Sequence, residues 1–95
     1  MIIVHDIFVC KPGNASKLAK LFKEHMSSQK EFVNVMTDMT GQFNRVIMVT
    51  KHESLTAYEK SWESMSEEEM KKMQEAMKGY TDMYLTGSRE IYRTW

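Results

Sequence analysis

The chain has 95 residues, of which 42% are hydrophobic and 27% are charged. This length predicts a single domain over residues 1–95, because two independent cores would need a longer chain. Thirteen basic and thirteen acidic side chains cancel, so no overall field attracts nucleic acid or an anionic membrane, and neither is expected as a partner. The one cysteine, Cys10, can form no internal disulfide, which favours a cytoplasmic protein.

The first half of the chain predicts a strand, a helix and a hairpin. These elements cover residues 2–10, 14–28, 31–39 and 43–50. The first run is rich in Ile, Val and Phe and ends at Lys11-Pro12-Gly13, a sequence that stops a strand and forces a turn. The second run carries apolar residues at helical spacing. The last two runs are β-favourable and are joined by Thr40-Gly41-Gln42, which is typical of a hairpin.

The second half predicts two further helical segments and a last strand. Ser54 is a suitable cap for a helix whose apolar stripe is Leu55, Tyr58, Trp62 and Met65. Ser66 with Glu69 three residues later forms a capping-box pattern, which predicts a second helical run over residues 66–84. After Gly87 the residues alternate with a period of two, which predicts a strand to the end of the chain.

This order, β-α-β-β-α-β, predicts an α+β fold of the ferredoxin-like, split β-α-β type with a four-stranded antiparallel sheet. Right-handed crossovers place the helices on one face of that sheet. Both alternating sets of residues 2–10 are mainly apolar, however, and the hairpin shows the same pattern. Because an apolar sheet face in water needs a cover, we expect a homodimer in which two open sheet faces pack into an α/β barrel.

Asp6 is the best marker of a pocket. A carboxylate in an apolar strand must be hydrogen-bonded or must keep contact with water in a cavity. Asn34 would line the same cavity if it faces the same side, and Tyr58 and Trp62, one helical turn apart, could stack on a flat ligand. Phe8 shares the alternating set of Asp6. The alternatives are structural pairing of Asp6 and core packing of the two aromatic residues, and the candidate cations for that pairing are Arg45, Arg89 and Arg93.

No metal or cofactor site is expected. His5-Asp6 and His52-Glu53 each direct their two side chains to opposite faces of a strand, so neither pair presents both to one metal ion. The ten methionines include several at helical spacing, where packing in a core is the usual role. The sequence contains no Walker, HExxH, GxSxG or GxGxxG motif.

Three segments carry a resemblance to a known group of proteins. Lys11-Pro12-Gly13, the helix opening Asn14–Leu18 and the stretch Asn44–Tyr58 together resemble the dimeric α/β barrel superfamily, nearest in outline to NIPSNAP-like and antibiotic-biosynthesis-monooxygenase-like domains. The resemblance implies a ligand chamber on the barrel-facing side of the sheet. The monooxygenases and haem-degrading enzymes of that group rely on an Asn in the first strand, a Trp, and a His in the second helical segment, so the resemblance implies that corresponding positions exist here. Asp6 stands at the Asn position, Trp62 lies near the Trp position, and residues 66–84 contain no His.

Three functions remain open from the sequence. The first is binding or oxidation of an apolar small molecule in a sheet-lined chamber, with at most a cofactor-independent monooxygenase-like activity. The second is a structural or regulatory dimer without a ligand. The third is an RNA-binding module, because the RNA recognition motif has the same element order and Gly41-Gln42-Phe43 faintly resembles its third-strand signature. The zero net charge, and the positions of Val4, Val46 and Met48, where that motif needs stacking aromatics, argue against RNA.

Overall fold

The structure, a computed structural model, describes residues 1–41, 43–64 and 66–95. Within these residues the elements are β1 (Ile2–Cys10), α1 (Ala15–Met26), β2 (Phe32–Thr37), β3 (Arg45–His52), α2 (Leu55–Glu63), α3 (Glu67–Ala76) and β4 (Tyr84–Arg93). A 3₁₀ turn at Tyr80–Asp82 precedes β4. The predicted α+β fold with its split β-α-β order is confirmed. No helix in the described ranges is long and apolar enough to cross a membrane.

The strands form an antiparallel sheet in the order β2-β3-β1-β4. β1 is an inner strand, pairing with β3 on one side and β4 on the other. Directly paired residues point to the same face of an antiparallel sheet. The register therefore assigns Asp6 to the same face as Met48 on β3 and Arg89 on β4.

The core lies on the face that the helices cover. Leu18 and Phe22 of α1 pack there against Cys10, Val46 and Met48, together with Met77 after α3. Leu18 occurs on the apolar side of α1 because residues four apart fall on one side of a helix. Helix α2 also packs on this face, since Tyr58 contacts the ring of His52. The prediction that both helical layers share one face is thus confirmed.

Both of the predicted serine helix caps form as expected. Ser54 Oγ accepts a hydrogen bond from the Ala57 backbone N–H at 3.1 Å, and Ser66 Oγ accepts one from the Glu69 backbone N–H at 3.2 Å. These bonds satisfy donors that a helix start otherwise leaves free. Asn14 occupies the cap position of α1 without a side-chain bond.

The other face of the sheet, here called the open face, carries the second alternating set. Its apolar members on the inner strands are aliphatic: Ile3, Ile7, Val9, Ile47 and Val49. The first four are only partly buried in the single chain. Phe8 and Phe32, which both contact the core, do not add to this face.

The predicted bounds differ from the observed ones near the second and fourth strands. A β-bulge between Phe32 and Asn34 breaks the expected alternation, so that Phe32 and Val35 both contact the core. The last helix ends at Ala76 rather than Tyr84. Gly79, with φ of +87°, turns the chain there, because glycine adopts this conformation without strain.

As a result β4 begins at Tyr84, before Gly87 where the sequence pattern predicts it. The hairpin strands are also shorter or shifted, because β2 begins at Phe32 and β3 begins at Arg45. Gln42 of the predicted turn and Met65 of the predicted apolar stripe lie outside the described residues.

The burial of Leu18 predicts a large effect of truncation. Leu18 is 0% exposed, so Leu18→Ala should lower the free energy of unfolding by about 2–5 kcal/mol through lost burial and a cavity. Leu55→Ala makes the same chemical change at a position that is 56% exposed, and should cost about 0.5 kcal/mol or less. Urea unfolding of both variants measures the difference. Equal effects would contradict the described core.

Candidate functional site

A cavity of about 340 Å³ lies between the covered face of the sheet and the helices. Side chains from β1, β3 and all three helices line it, together with the segment before β2. Its apolar wall consists of Met26, Met48, Met73 and the indole of Trp62. The volume is within the range of small-molecule sites in proteins.

The cavity exists because the helices pack on the sheet to different extents. α1 inserts the buried residues Leu18 and Phe22 into the core. In α2 and α3, all of whose residues are described, no residue is buried. These two helices therefore lie over the sheet without filling the space beneath them, which is the space that the cavity occupies.

Asp6 lines the cavity at the sheet. It is only 7% exposed, and its Oδ1 accepts a hydrogen bond from Arg89 Nε at 2.5 Å. The two residues are direct partners across β1 and β4. Hydrogen bonding to Asp6 raises the pKa of the Arg89 guanidinium above its usual value. Among the three pairings considered from the sequence, the structure thus shows the one with Arg89, and Asp6 faces the cavity as well.

Tyr58 and Trp62 stand beside this ion pair. The guanidinium carbon of Arg89 lies 5.7 Å from each of the two ring centroids, which is a cation–π distance. The ring centroids are 6.2 Å apart in an edge-to-face arrangement. The hydroxyl of Tyr58 is buried and has no hydrogen-bond partner among the described residues.

His52, at the end of β3, completes the polar side of the cavity. It is 8% exposed, its Nε2 lies 3.1 Å from Thr50 Oγ1, and its ring meets Tyr58 edge-on at 4.8 Å. Burial lowers the pKa of His52, and the negative charges of Glu31 and Asp6 oppose this effect. His52 is therefore neutral at pH 7.

Other reactive groups have no part in this arrangement. Burial raises the pKa of the Cys10 thiol, which keeps it protonated and unreactive in the core. Within the part of the chain that the structure describes, no group of three or more His, Cys, Asp or Glu side chains is placed to hold a metal ion.

The structure brings together three of the five residues predicted to line a chamber. Asp6, Tyr58 and Trp62 all line the cavity. Phe8 faces the same side of the sheet but packs in the core, with ring centroids 5.1 Å from Phe22 and 5.0 Å from Tyr84. Asn34 pairs with Val49 of the open face and so lies on the opposite side from Asp6, because the bulge in β2 changes its direction.

The cavity also lies on the helix-covered side of the sheet, whereas the expected chamber was on the open face. His52 and Thr50 were not predicted as lining residues. The sequence could have indicated them, because Thr50 and His52 continue the alternating set of Val46 and Met48 along β3 and therefore lie on the same face of the sheet. The sequence pattern could not assign Glu31 and Glu69 to the cavity, because neither residue lies in a strand.

Comparison with solved structures finds the same fold in several proteins. A NIPSNAP family protein from Agrobacterium tumefaciens superposes with a TM-score of 0.80 at 15% identity, over 97% of this chain and 90% of that one. The chain shares the NIPSNAP-like fold. An uncharacterised NIPSNAP domain protein from Burkholderia xenovorans gives 0.78 at 8% identity, over 100% and 95%.

A candidate antibiotic biosynthesis monooxygenase from Deinococcus radiodurans gives a TM-score of 0.63 at 11% identity, over 100% of this chain and 93% of that one. The resemblance to NIPSNAP-like and monooxygenase-like domains is thereby confirmed. Identities this low establish the fold and leave activity open. No protein-family model and no curated protein matches the sequence.

The environment of His52 predicts a pH dependence of the stability of this domain. The pKa of His52 is lowered from 6.5 in the folded state, so below about pH 6.5 the unfolded chain binds a proton that the folded chain does not. The free energy of unfolding should therefore fall as the pH decreases from about 8 to about 5.

Replacement of the imidazole should remove this part of the pH dependence. Urea unfolding at several pH values, in the parent and in His52→Gln, isolates the contribution of His52. His25→Gln is the matched control, because it makes the same chemical change at a histidine that does not line the cavity. An unchanged slope in His52→Gln would show that His52 is not buried in its neutral form.

Proposed function

We propose that this protein binds a small, largely apolar molecule in the cavity beneath α2 and α3. The observation that carries the proposal is the buried hydroxyl of Tyr58, which has no partner among the described residues and belongs to a lining residue of the cavity. Buried polar groups in native proteins are nearly always hydrogen-bonded. A polar atom of a ligand would supply the missing partner.

The rest of the lining suits a ligand that is mainly apolar. Methionine side chains are flexible and polarisable, so Met26, Met48 and Met73 can adapt to different shapes. Trp62 is 57% exposed and lies in the cavity wall, where its ring offers a flat surface to an entering molecule. A few polar groups within an apolar wall are typical of small-molecule sites.

Chemistry on the bound molecule is a further part of the proposal. Two structurally similar proteins are candidate antibiotic biosynthesis monooxygenases, and an oxidation in this protein would take place at the same cavity. Measurement of oxygen consumption with each compound that binds separates a binding protein from an oxygenase.

Removal of the Tyr58 hydroxyl should weaken ligand binding without lowering the stability of the fold. Tyr58→Phe deletes an unpaired buried polar group, which costs about 1–3 kcal/mol when unsatisfied, so the variant should be at least as stable as the parent. It should bind ligand less tightly by roughly tenfold, because one hydrogen bond contributes about 0.5–1.5 kcal/mol. Tyr80→Phe, at a ring that packs against Phe22, is the control and should leave binding unchanged.

A thermal-shift screen with a broad set of aromatic and alkyl compounds supplies the ligand for this measurement. A compound at a hundred times its Kd stabilises the folded chain by about 2.7 kcal/mol, which raises the Tm by several degrees. The shift should be smaller in Tyr58→Phe and in Trp62→Ala. The proposal fails if no compound raises the Tm of the parent.

We propose in addition that a second copy of the chain covers the open face. Ile3, Ile7, Val9 and Ile47 form an aliphatic centre on this face, and they stay partly exposed in one chain. Burial of several hundred Å² of such surface contributes on the order of 10 kcal/mol before the cost of association. The charged residues Arg45 and Lys51 lie at its ends, where an interface has its polar rim.

A charge at the centre of the open face should therefore prevent self-association. We expect sedimentation equilibrium at micromolar concentration to give a dimer for the parent and a monomer for Ile7→Glu, with helix content retained in circular dichroism. Lys17→Glu, on the exposed side of α1, is the control and should stay dimeric. A monomeric parent would refute this second proposal.

A further inference from the structure

The groups that can carry a charge in the lining of the cavity are mainly acidic. They are the carboxylates of Asp6, Glu31 and Glu69, together with the neutral imidazole of His52. No Lys or Arg is among the described residues that line the cavity. Lys30 and Lys51 line a neighbouring cavity with Glu31, and thus lie outside the cavity under α2.

These carboxylates are only partly compensated. Arg89 binds Oδ1 of Asp6, and Asp6 is 7% exposed. Glu31 and Glu69 form no ion pair of 4.0 Å or less with any described residue. Among its described lining residues the cavity thus has three carboxylates and no Lys or Arg, with Arg89 bound to Asp6 and Lys72 beside Glu69 in a neighbouring cavity.

The aromatic side chains of the cavity wall, Tyr58 and Trp62, are suited to contact with a positively charged ligand. The guanidinium carbon of Arg89 already lies 5.7 Å from the ring centroid of Tyr58 and of Trp62, so these rings stand where a positive charge is accommodated. An ammonium group is attracted by aromatic faces in the same way, most strongly where water is excluded. The unpartnered Tyr58 hydroxyl adds an acceptor oxygen.

We infer that the ligand is a small organic cation, an amine or quaternary ammonium carried on an apolar body. The positive group would lie near Glu31 and Glu69, and the apolar body against Met26, Met48 and Met73. This inference rests on the proposed function, since it specifies the chemistry of the molecule bound in the same cavity. A neutral cavity would discriminate between ligands by shape alone, whereas Glu31 and Glu69, which form no ion pair of 4.0 Å or less with a described residue, favour cations over anions.

Three probes of similar shape and different charge test the inference. Benzyltrimethylammonium is a permanent cation, neopentylbenzene is its neutral carbon isostere, and phenylacetate is an anion. Binding is followed by the fluorescence of Trp62 in a Trp95→Phe background, in which Trp62 is the only tryptophan. We expect the cation to bind on the order of tenfold more tightly than the isostere, and phenylacetate to bind most weakly.

Two variants show whether the carboxylates cause the preference. The double variant Glu31→Gln with Glu69→Gln should bind benzyltrimethylammonium about as weakly as neopentylbenzene, with the affinity for neopentylbenzene unchanged. Glu68→Gln makes the same change in the same turn of α3 at a residue that does not line the cavity, and should behave like the parent. Salt should weaken the binding of the cation and leave that of the isostere unaffected.

The outcomes separate the inference from the proposed function. Equal or tighter binding of neopentylbenzene or phenylacetate overturns the inference and leaves a binding cavity in place. The same holds if benzyltrimethylammonium does not bind while a neutral or anionic compound of the screen does. A chain that binds none of the probes and no compound of the screen overturns both.

Discussion

Burial of the Asp6 carboxylate in an inner strand of the sheet is the constraint on which the site depends. An ion removed from water loses several kcal/mol of hydration unless a partner charge and hydrogen bonds replace it. Arg89 meets this need from β4, directly across the ladder from Asp6. The same guanidinium lies between Asp6 and the rings of Tyr58 and Trp62, so one ion pair links the edge strand, the inner strand and α2.

The two ends of the covered face differ in packing, because one end holds the buried core and the other holds the cavity. At one end α1 inserts Leu18 and Phe22 into the buried cluster that contains Val46 and Cys10. At the other end α2 and α3 have no buried residues, and the space below them stays open. A small domain can keep a cavity only where its remaining core is well packed, because an unfilled volume costs stability in proportion to its size.

The sequence predicts much of the fold because its signals are local. Period-two runs, apolar residues at helical spacing, and the serines at positions 54 and 66 each depend on a few neighbouring residues. The departures come from features without such a signal. The bulge at Phe32 and Asn34 results from pairing with β3, and it moves Asn34 to the wrong face. The cavity likewise joins Asp6, Glu31 and Glu69, whose proximity arises only when the helices dock.

The order of the strands also places β4 at an edge of the sheet. A strand of ten residues in this position offers a row of backbone groups on which further chains could polymerise. Arg89, Glu90 and Arg93 occur along it, and charged side chains on an edge strand oppose such stacking. The arginine that pairs with the buried carboxylate thus belongs to a set of edge-strand charges of the kind that opposes pairing between sheets of different molecules.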